Sequence, residues 1–248
     1  MKSLGIELVR DSVSRYSGTK RVATELPPLI WNSFEDLEET AITKLRQQFQ
    51  IPIFPIGPFH KHNNSTAPSS ITSMIAEDHS SISWLDKHRP KSVIYISFGT
   101  NAAMAEVARG LAGSGHPFLW VMRPGGLTRG EPLPEGFLEG LKGRGRIVKW
   151  APQAEVLAHP SVGAFWTHCG WNSTLESVCE GVLMICTPRF ADQPVNARYV
   201  SHVWRVGLQL DGGLSREKVE RAVRRVMEER EGVEMRERAR VCVRPANW

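Results

Sequence analysis

The stretch of the sequence with the clearest chemical potential starts at Thr167 and reads THCGWNSTLE. A buried strand is expected to end at Thr167, and Gly170 permits a tight turn after it. A helix is then expected to begin at Asn172 or Ser173. Free N–H groups at the start of a helix, together with the positive end of its dipole, form a site for anions. His168 and the side chains of Asn172 and Ser173 add hydrogen-bond donors, so this turn is a candidate phosphate site.

The same residues also have a purely structural interpretation. Ser173 and Glu176 have the S-x-x-E spacing of a capping box, in which two side chains close the start of a helix. The neighbours favour a ligand site, because side chains as large as His168 and Trp171 at the end of a strand face either solvent or a ligand. The capping box and the phosphate site stand as alternatives, and the phosphate site is favoured.

Three other strand ends carry residues that suit the remaining parts of a nucleotide sugar. Trp150 follows one expected strand and could stack on a flat base, although it also suits the protein core. Asp192 and Gln193 follow another and could receive several sugar hydroxyls, although Asp192 alone is a common helix N-cap. Gly99 and Thr100 end the first strand with a glycine and a hydroxyl, which suit phosphate. Each signal is weak alone, but together they predict a nucleotide-sugar site.

These residues lie where strands end in a repeating pattern of apolar strands and amphipathic helices. The expected strands are continuous apolar runs, at Val93–Phe98, Phe118–Met122, Arg146–Lys149, Val162–Thr167, Leu183–Thr187 and Val206–Leu210. The expected helices lie around Ala102–Ala112, Gln153–Ala158, Ser173–Glu180, Asn196–Val203 and Val219–Met227. This alternation predicts a doubly wound α/β fold, because helices cover both faces of a parallel sheet. Such sheets bind ligands beyond the carboxyl ends of their strands.

Composition excludes several other classes of protein. The chain has 248 residues, of which 41% are apolar and 23% charged, so it is neither a disordered chain nor a coiled coil. No apolar run is long enough to span a bilayer, and residues 1–30 lack the layout of a signal peptide, so we expect a cytoplasmic protein without membrane contact. The net charge of +5 suits an anionic ligand without indicating one. Acidic residues interleave with basic ones from Ser215 to Arg244, which favours a solvated helix face over nucleic-acid binding.

Several familiar site signatures are missing. The sequence has neither GxGxxG after a strand nor GxxxxGK[ST], which disfavours a dehydrogenase or a P-loop enzyme. The cysteines form no CxxC pair and lie mostly in apolar surroundings, so we interpret them as buried thiols and not as zinc ligands or disulfides. They are Cys169, Cys179, Cys186 and Cys242.

The stretch from Trp150 to Gln193 resembles the donor-binding signature of plant UDP-glycosyltransferases. It opens with WAPQ, contains HCGWNS with a downstream Glu, and closes with Asp-Gln. A looser similarity extends over most of the chain, through IFPIGP from Ile53, SFGT from Ser97 and FLWVMRP from Phe118. The resemblance implies a Rossmann-like doubly wound parallel sheet that forms the C-terminal half of a two-domain glycosyltransferase of the GT-B type.

By that resemblance, each part of a UDP-sugar has its own contacts in this sequence. Trp150 would stack on uracil, Gln153 would lie beside the uridine, and Glu176 would accept the ribose hydroxyls. The diphosphate would be held by four polar side chains, Thr100, His168, Asn172 and Ser173. The sugar would be held by Trp171, Asp192 and Gln193. A Gln at the closing position is typical of members that use glucose, so the resemblance implies UDP-glucose as donor substrate, with no metal or other cofactor.

The reaction implied by the resemblance is inverting transfer of glucose to a small hydroxylated metabolite of flavonoid, phenolic or hormone type. In the family an N-terminal domain supplies a catalytic His, and no motif here matches it, so the general base is expected in that domain. Four histidines in or near the expected linker are predicted to be solvated and not catalytic: His60, His62, His79 and His88. The alternative is a UDP-sugar-binding remnant with little or no activity.

The resemblance also implies domain boundaries. Residues 1–59 resemble the end of the N-terminal domain, residues 60–83 read as a linker, and residues 84–248 would form the donor-binding domain. The helix between Thr100 and Gly110 looks about two turns shorter than in the family, and Val241–Trp248 does not continue a helical pattern. We therefore expect a truncated, monomeric chain whose apolar residues between 28 and 59 are exposed.

Overall fold

The structure is a computed structural model that describes residues 28–49, 52–62, 77–98, 103–122 and 133–242. The described residues divide into two compact units, one containing those up to residue 62 and the other those from residue 77. The domain boundaries inferred from the sequence, after residues 59 and 83, stay predictions. Thr100, predicted to contact phosphate, lies outside the described residues.

The first unit is built around a two-stranded parallel sheet. Its elements in chain order are β1 (Leu29–Trp31), α1 (Glu35–Phe49), β2 (Ile53–Pro55) and α2 (Phe59–His62). The strands pair with Leu29 opposite Ile53, and α1 buries Ile42 and Leu45. Within the described residues β2 pairs with β1 alone, as expected for a strand that contains a proline, because proline has no N–H group to donate to a second neighbour.

The second unit contains a six-stranded parallel sheet. In chain order its strands are β3 (Val93–Ser97), β4 (Phe118–Val121), β5 (Gly145–Val148), β6 (Val162–Thr167), β7 (Leu183–Cys186) and β8 (Gly207–Gln209). Their spatial order is β5-β4-β3-β6-β7-β8. The chain moves outward from β3 to β5 and then returns to place β6 beside β3. Ser97 and Thr167 end these two strands side by side, at the switch point where open parallel sheets bind ligands.

Helices precede, connect and follow the strands of the second unit. In chain order they are α3 (Ser80–Leu85), α4 (Met104–Ser114), α5 (Phe137–Gly140), α6 (Gln153–Ala158), α7 (Trp171–Cys179), α8 (Gln193–Arg198), α9 (Arg216–Met227) and α10 (Arg230–Cys242). A π-helical turn, Tyr199–Val203, continues α8. The predicted Rossmann-like doubly wound α/β fold is confirmed.

The predicted elements differ from the observed ones mainly at their ends. All six predicted strands are present, and the helix predicted over Gln153–Ala158 has those bounds. The helix predicted from Asn196 begins at Gln193, because Pro194 suits the first turn of a helix. The prediction that residues 241–248 leave the helical pattern is wrong for the first two, since α10 continues to Cys242. Residues 243–248 lie outside the described residues.

Burial explains why continuous apolar runs form the central strands. Every residue of β4, β6 and β7 is buried, as expected for strands covered on both faces. Helix α9 buries the predicted apolar face through Val219, Ala222, Val223 and Val226. Helix α4 packs closely on α9 at Gly110, where a Cβ atom would lie 2.5 Å from Val219 Cβ. The carboxyl ends of the strands, where the candidate site residues follow, are therefore supported by a well-packed core.

Candidate functional site

The turn between β6 and α7 contains a left-handed residue, Cys169. Its φ of +63° costs a residue with a side chain about 1–3 kcal/mol. Two hydrogen bonds hold it in place: the Cys169 N–H donates to Thr167 Oγ1 at 3.1 Å, and Asn196 Nδ2 donates to the Cys169 carbonyl at 2.9 Å. Backbone strain that is fixed by its surroundings in this way is common at ligand sites.

Gly170 is required by the position of His168. A Cβ atom at residue 170 would lie 2.8 Å from His168 Nε2, so glycine is what lets the half-buried imidazole lie against the start of α7. The imidazole is therefore next to the positive end of a helix, which is a suitable place for a phosphate contact.

Helix α7 begins at Trp171, earlier than the sequence pattern predicted. Gly170 is its N-cap residue and has extended backbone angles, φ −60° and ψ 145°. Ser173 is then the third residue of the helix and Glu176 the sixth. The capping-box interpretation is wrong, because it requires Ser173 at the N-cap position.

The first N–H group of α7 is already paired within the protein. Trp171 donates it to Asp192 Oδ2 at 3.2 Å, so a carboxylate lies at the positive end of the helix dipole. Regular intrahelical bonding starts with the Thr174 N–H and the Gly170 carbonyl at 2.9 Å. The predicted anion site in the first turn therefore does not include the Trp171 N–H group.

The side chains of Gln153, Ser173 and Glu176 form one hydrogen-bonded group. Gln153 Nε2 donates to Glu176 Oε2 at 2.7 Å and to Ser173 Oγ at 3.0 Å. Tyr95 Oη donates to Gln153 Oε1 at 3.4 Å. Sequence reasoning missed Tyr95, because a tyrosine inside an apolar run is typical of a core strand, and this one is indeed 1% exposed. The group joins the start of α6 to the first two turns of α7.

The environment of Glu176 favours its protonated form. Burial raises the pKa of the Glu176 carboxyl above its ordinary value, and the hydrogen bond from Gln153 offsets part of that rise. A carboxylate that is partly removed from water is stabilised by each further hydrogen-bond donor that reaches it. Glu176 is therefore suited to accept the hydroxyl groups of a ligand.

The turn between β7 and α8 orients Asp192 and Gln193 in different ways. Asp192 is the N-cap residue of α8, yet its side chain accepts none of the described backbone N–H groups of that helix and instead caps α7. Gln193 is buried, and its Oε1 accepts the N–H groups of Arg189 at 2.9 Å and Phe190 at 3.3 Å. The carbonyl end of Gln193 stabilises its own turn, which directs the NH₂ end elsewhere.

Trp150 follows β5 and has features of both interpretations made from the sequence. It is half-buried and packs against the same core cluster as Ile82 and Trp84. Its carbonyl accepts the N–H of Asp78 at 3.0 Å, which attaches the start of α3 to this turn. The residue is thus supported by the core while part of it remains exposed at the carboxyl end of the sheet.

Covalent and hydrogen-bonded links connect these residues along one edge of the sheet. Trp150 precedes Gln153 by three residues, so their Cα atoms are at most about 11 Å apart. Hydrogen bonds then continue from Gln153 to Ser173, and from Trp171 to Asp192. An aromatic surface, a helix N-terminus and a carboxylate–amide pair follow one another in the order of base, diphosphate and hexose in a nucleotide sugar.

The four histidines near the expected linker are not all solvated. His62 and His79 are exposed as predicted, whereas His60 and His88 are half-buried. The His88 ring packs on Trp84 with 4.0 Å between ring centroids, and its Nδ1 lies 2.9 Å from the Trp84 carbonyl. The prediction of solvation is wrong for His60 and His88.

A serine, a histidine and an aspartate also come together at the opposite end of β6. His159 Nδ1 lies 2.8 Å from Ser161 Oγ, and His159 Nε2 lies 3.1 Å from Asp86 Oδ1. Ser161 is 1% exposed, and a nucleophile must be able to reach its substrate. We interpret this group as a stabilised turn before the strand.

The other predicted chemistry concerns thiols, metals and membranes. All four cysteines are free thiols, and three are buried as predicted, whereas Cys242 is only half-buried. Within the described ranges, no group of three or more His, Cys, Asp or Glu side chains is placed to hold a metal ion. Among the helices of the same ranges, none has the length and apolar character needed to cross a bilayer.

Comparison with known proteins gives a consistent result. The family described as UDP-glucoronosyl and UDP-glucosyl transferase matches residues 17–236. UDP-glycosyltransferase 76F2 of Arabidopsis thaliana is 50% identical over 231 residues, which cover 87% of this chain and 50% of that protein. Flavonol 3-O-glucosyltransferase UGT76E12 of the same plant is 50% identical over 236 residues, which cover 92% of this chain and 50% of that protein. The chain thus spans about half the length of the curated relatives that it matches.

A solved structure with the same fold is that of Phytolacca americana UGT2 complexed with UDP-2fluoro-glucose and pterostilbene. Its TM-score is 0.75 at 36% sequence identity, and the match covers 87% of this chain and 49% of that chain.

Proposed function

The chain belongs to the family of UDP-glucoronosyl and UDP-glucosyl transferases, and we propose that it forms the donor-binding half of an enzyme that transfers glucose from UDP-glucose to a small hydroxylated metabolite. The observation that carries this proposal is the hydrogen-bonded group of Gln153, Ser173 and Glu176. It brings the half-buried Glu176 carboxylate to the first two turns of α7, at the carboxyl ends of the strands, where a ribose and its diphosphate can bind together.

The uridine would bind at the end of the site near β5. Trp150 supplies an aromatic surface for the uracil ring, and Gln153 lies between that residue and α7. Glu176 accepts the ribose hydroxyls, whose donors replace the water that its carboxylate has lost. The raised pKa of the half-buried Glu176 carboxyl supports this role, because two ribose O–H donors would stabilise the ionised form.

The diphosphate would bind at the first turn of α7. Asn172, Ser173 and His168 provide donors there, and Thr100 is proposed as a fourth contact from the end of β3. Asp192 already accepts the hydrogen bond of the Trp171 N–H group, so the phosphate oxygens bind farther along the turn. The helix dipole and these donors stabilise negative charge, which grows on UDP as it leaves.

The hexose would bind between Trp171 and the turn after β7. The NH₂ group of Gln193 is a donor, since its Oε1 is bonded to the turn. Asp192 Oδ2 is bonded within the protein, which leaves Oδ1 as the acceptor. One donor and one acceptor side by side match the hydroxyl groups of glucose, each of which both donates and accepts.

The reaction we propose is a single inverting displacement. The acceptor oxygen attacks the anomeric carbon on the face opposite UDP, the bond from that carbon to the phosphate oxygen breaks, and its electron pair leaves with UDP. The acceptor proton passes to a general base, which is worth roughly 10²- to 10⁴-fold in rate. We assign the base to the part of the relatives that this chain does not span, so the full activity requires that part.

The acceptor we propose is a small hydroxylated plant metabolite of flavonoid, phenolic or hormone type. A relative named for flavonol 3-O-glucosyl transfer and a similar structure with bound pterostilbene support this class. We further propose that the protein is a cytoplasmic monomer whose partners are the UDP-sugar and the acceptor, and not nucleic acid or membrane.

A second candidate function is UDP-sugar binding without catalysis, which is favoured because the group of Gln153, Ser173 and Glu176 supplies donor-site contacts, whereas we assign no described side chain as the general base. Calorimetry with UDP and a coupled assay for UDP release over a panel of phenols test both functions. Binding that is lost in Trp150→Ala and in Glu176→Ala supports the donor site, and no binding by the parent chain refutes it. UDP release by this chain above the buffer rate favours the first function, whereas binding without release is expected under both, because the first assigns the general base to a part that this chain does not span.

A further inference from the structure

Asn196 lies just beyond the residues proposed to contact the ligand, and both hydrogens of its amide are used. The residue is 7% exposed in α8, and its Nδ2 donates to the Cys169 carbonyl at 2.9 Å and to Asp192 Oδ2 at 2.7 Å. An NH₂ group has two donors, so Asn196 is saturated by these two bonds. One buried side chain thus joins the turn after β6 to the turn after β7.

The bond to Asp192 fixes which carboxylate oxygen can meet a ligand. Oδ2 accepts from Asn196 and also from the Trp171 N–H at 3.2 Å, so it is held by donors from two helices. Rotation of the carboxylate would break both bonds. Oδ1 is therefore the oxygen that is directed away from the protein donors.

The bond to Cys169 acts on the other turn. Cys169 has its left-handed backbone immediately before Gly170, the N-cap of α7. A donor on the Cys169 carbonyl holds that conformation and with it the direction in which α7 begins. The side chain that orients Asp192 therefore also fixes the helix start proposed to bind phosphate.

We propose that Asn196 is a positioning residue that sets the geometry between the diphosphate and hexose parts of the donor site. It does not touch the ligand and acts through Asp192 and Cys169. This inference rests on the proposed function, because it assigns Asn196 a role in holding a UDP-sugar. A role confined to packing predicts a different set of results, since a side chain of equal size would then serve equally well.

The test compares UDP with UDP-glucose in calorimetric titrations of the 248-residue chain. Asn196→Ala is expected to weaken UDP-glucose by about tenfold and UDP by a smaller factor, because UDP loses only the support of the helix start through Cys169, whereas UDP-glucose also loses the hexose contact through Asp192. Asn196→Asp has the same size but places a carboxylate against Asp192, so we expect a loss at least as large. Gln209→Ala is the matched control, since it removes an amide-to-carboxylate bond of 2.6 Å to Asp211 on the neighbouring strand end, and it should change neither affinity.

A second variant keeps the test decisive if the first ones fold poorly. In Asp192→Asn, the Trp171 N–H and the Asn196 NH₂ group both require an acceptor, so the new amide must turn its oxygen toward them and its NH₂ group toward the sugar. Affinity for UDP-glucose should fall about tenfold while affinity for UDP is retained. When Asp192→Asn is combined with Asn196→Ala, the new amide at position 192 no longer has to direct its oxygen toward Asn196. The loss of affinity for UDP-glucose in the double variant should therefore be smaller than the sum of the two single losses.

The outcomes separate the inference from the proposed function. If the parent chain binds neither ligand, the proposed function fails and the inference fails with it. If the parent binds UDP-glucose but Asn196→Asp binds both ligands like the parent, the proposed function stands and the inference is overturned. Equal losses for UDP and UDP-glucose in Asn196→Ala, or additive losses with Asp192→Asn, would also overturn it.

Discussion

Gln153 Nε2 lies 2.7 Å from Glu176 Oε2, although 23 residues separate them in the sequence. The same nitrogen reaches Ser173 Oγ, so one amide spans the first two turns of α7. Gln153 is a donor that partly compensates the burial of Glu176. A bound ribose would therefore share the carboxylate with Gln153, which makes this pair the natural place to probe the donor site.

Replacing Glu176 by Gln should stabilise the free protein while weakening UDP binding. The folded-state pKa of Glu176 is raised, so its contribution to stability is present below the ordinary value of 4.5 and is lost as pH rises through the folded-state pKa. The neutral variant avoids that loss, so its advantage in Tm should be larger at about pH 7 than at about pH 4. UDP affinity should fall about tenfold, because a charged acceptor is replaced by a neutral one.

Thermal unfolding at the two pH values and calorimetry with UDP measure these effects. Glu155→Gln is the matched control, because Glu155 lies on α6 with an exposed side chain. A lower Tm for Glu176→Gln near neutral pH, or an unchanged UDP affinity, would contradict the prediction.

Substitutions at Trp150 should distinguish base stacking from core packing. Trp150→Ala is expected to weaken UDP binding roughly ten- to hundredfold, which is the usual range for one base stacked on an aromatic ring. Trp150→Phe keeps a flat ring and should retain most of the affinity. Calorimetry gives the affinities and thermal unfolding gives the packing cost, since Trp150 packs against the core of the second unit.

The comparison of the two Trp150 variants decides between the interpretations. If both lose UDP affinity only in proportion to their loss of Tm, Trp150 is a core residue without a stacking role. Trp31→Phe is a control for general effects of tryptophan replacement, because Trp31 lies in the first unit and bonds to Glu38.

The architecture of the second unit could be predicted from the sequence because its signals are local. Continuous apolar runs gave the strands, such as Val162–Thr167, since a strand buried on both faces needs no alternation. The carboxyl ends of parallel strands meet at one edge, so Trp150 and Asp192 could be assigned to one site without knowing their contacts.

The parts that could not be predicted depend on residues distant in the sequence. The start of α7 was misjudged because its cap comes from Asp192, 21 residues after Trp171, whereas the local S-x-x-E pattern suggested a later start. Asn196 carries no motif and reads as one polar residue of a helix. Its role becomes visible only when its bond to the Cys169 carbonyl is known.

Adding one methyl group at Gly170 should disturb the phosphate end of the site. The new Cβ atom would lie 2.8 Å from His168 Nε2, so the imidazole must move away from the start of α7. We expect Gly170→Ala to weaken UDP binding about tenfold, which corresponds to the loss of one charge-assisted hydrogen bond. Calorimetry with UDP measures the change.

The control for this substitution is Gly140→Ala. A Cβ atom there meets no atom within 4 Å, so both Tm and UDP affinity should stay close to those of the parent. If Gly170→Ala binds UDP as the parent does, the position of His168 is not important for the phosphate.

The apolar face of the first unit should make the 248-residue chain prone to nonspecific aggregation, which is distinct from the monomeric state proposed for the native protein. Ile30 and Phe54 lie opposite each other on β1 and β2, with exposed fractions of 61% and 50%, and Ile56 follows at 51%. Apolar side chains clustered on one sheet face promote association, whereas single exposed ones are common on soluble proteins. Replacing both Ile30 and Phe54 by Thr keeps residues that favour strands and removes two of the large exposed apolar side chains of this unit. Light scattering should therefore fall, and the fraction left in solution after centrifugation should rise.

Val233→Thr is the control and should have little effect although Val233 is also 50% exposed, because it lies on α10 and not on this sheet face. A parent chain that scatters no more light than the double variant, and binds no more apolar dye, would refute the prediction.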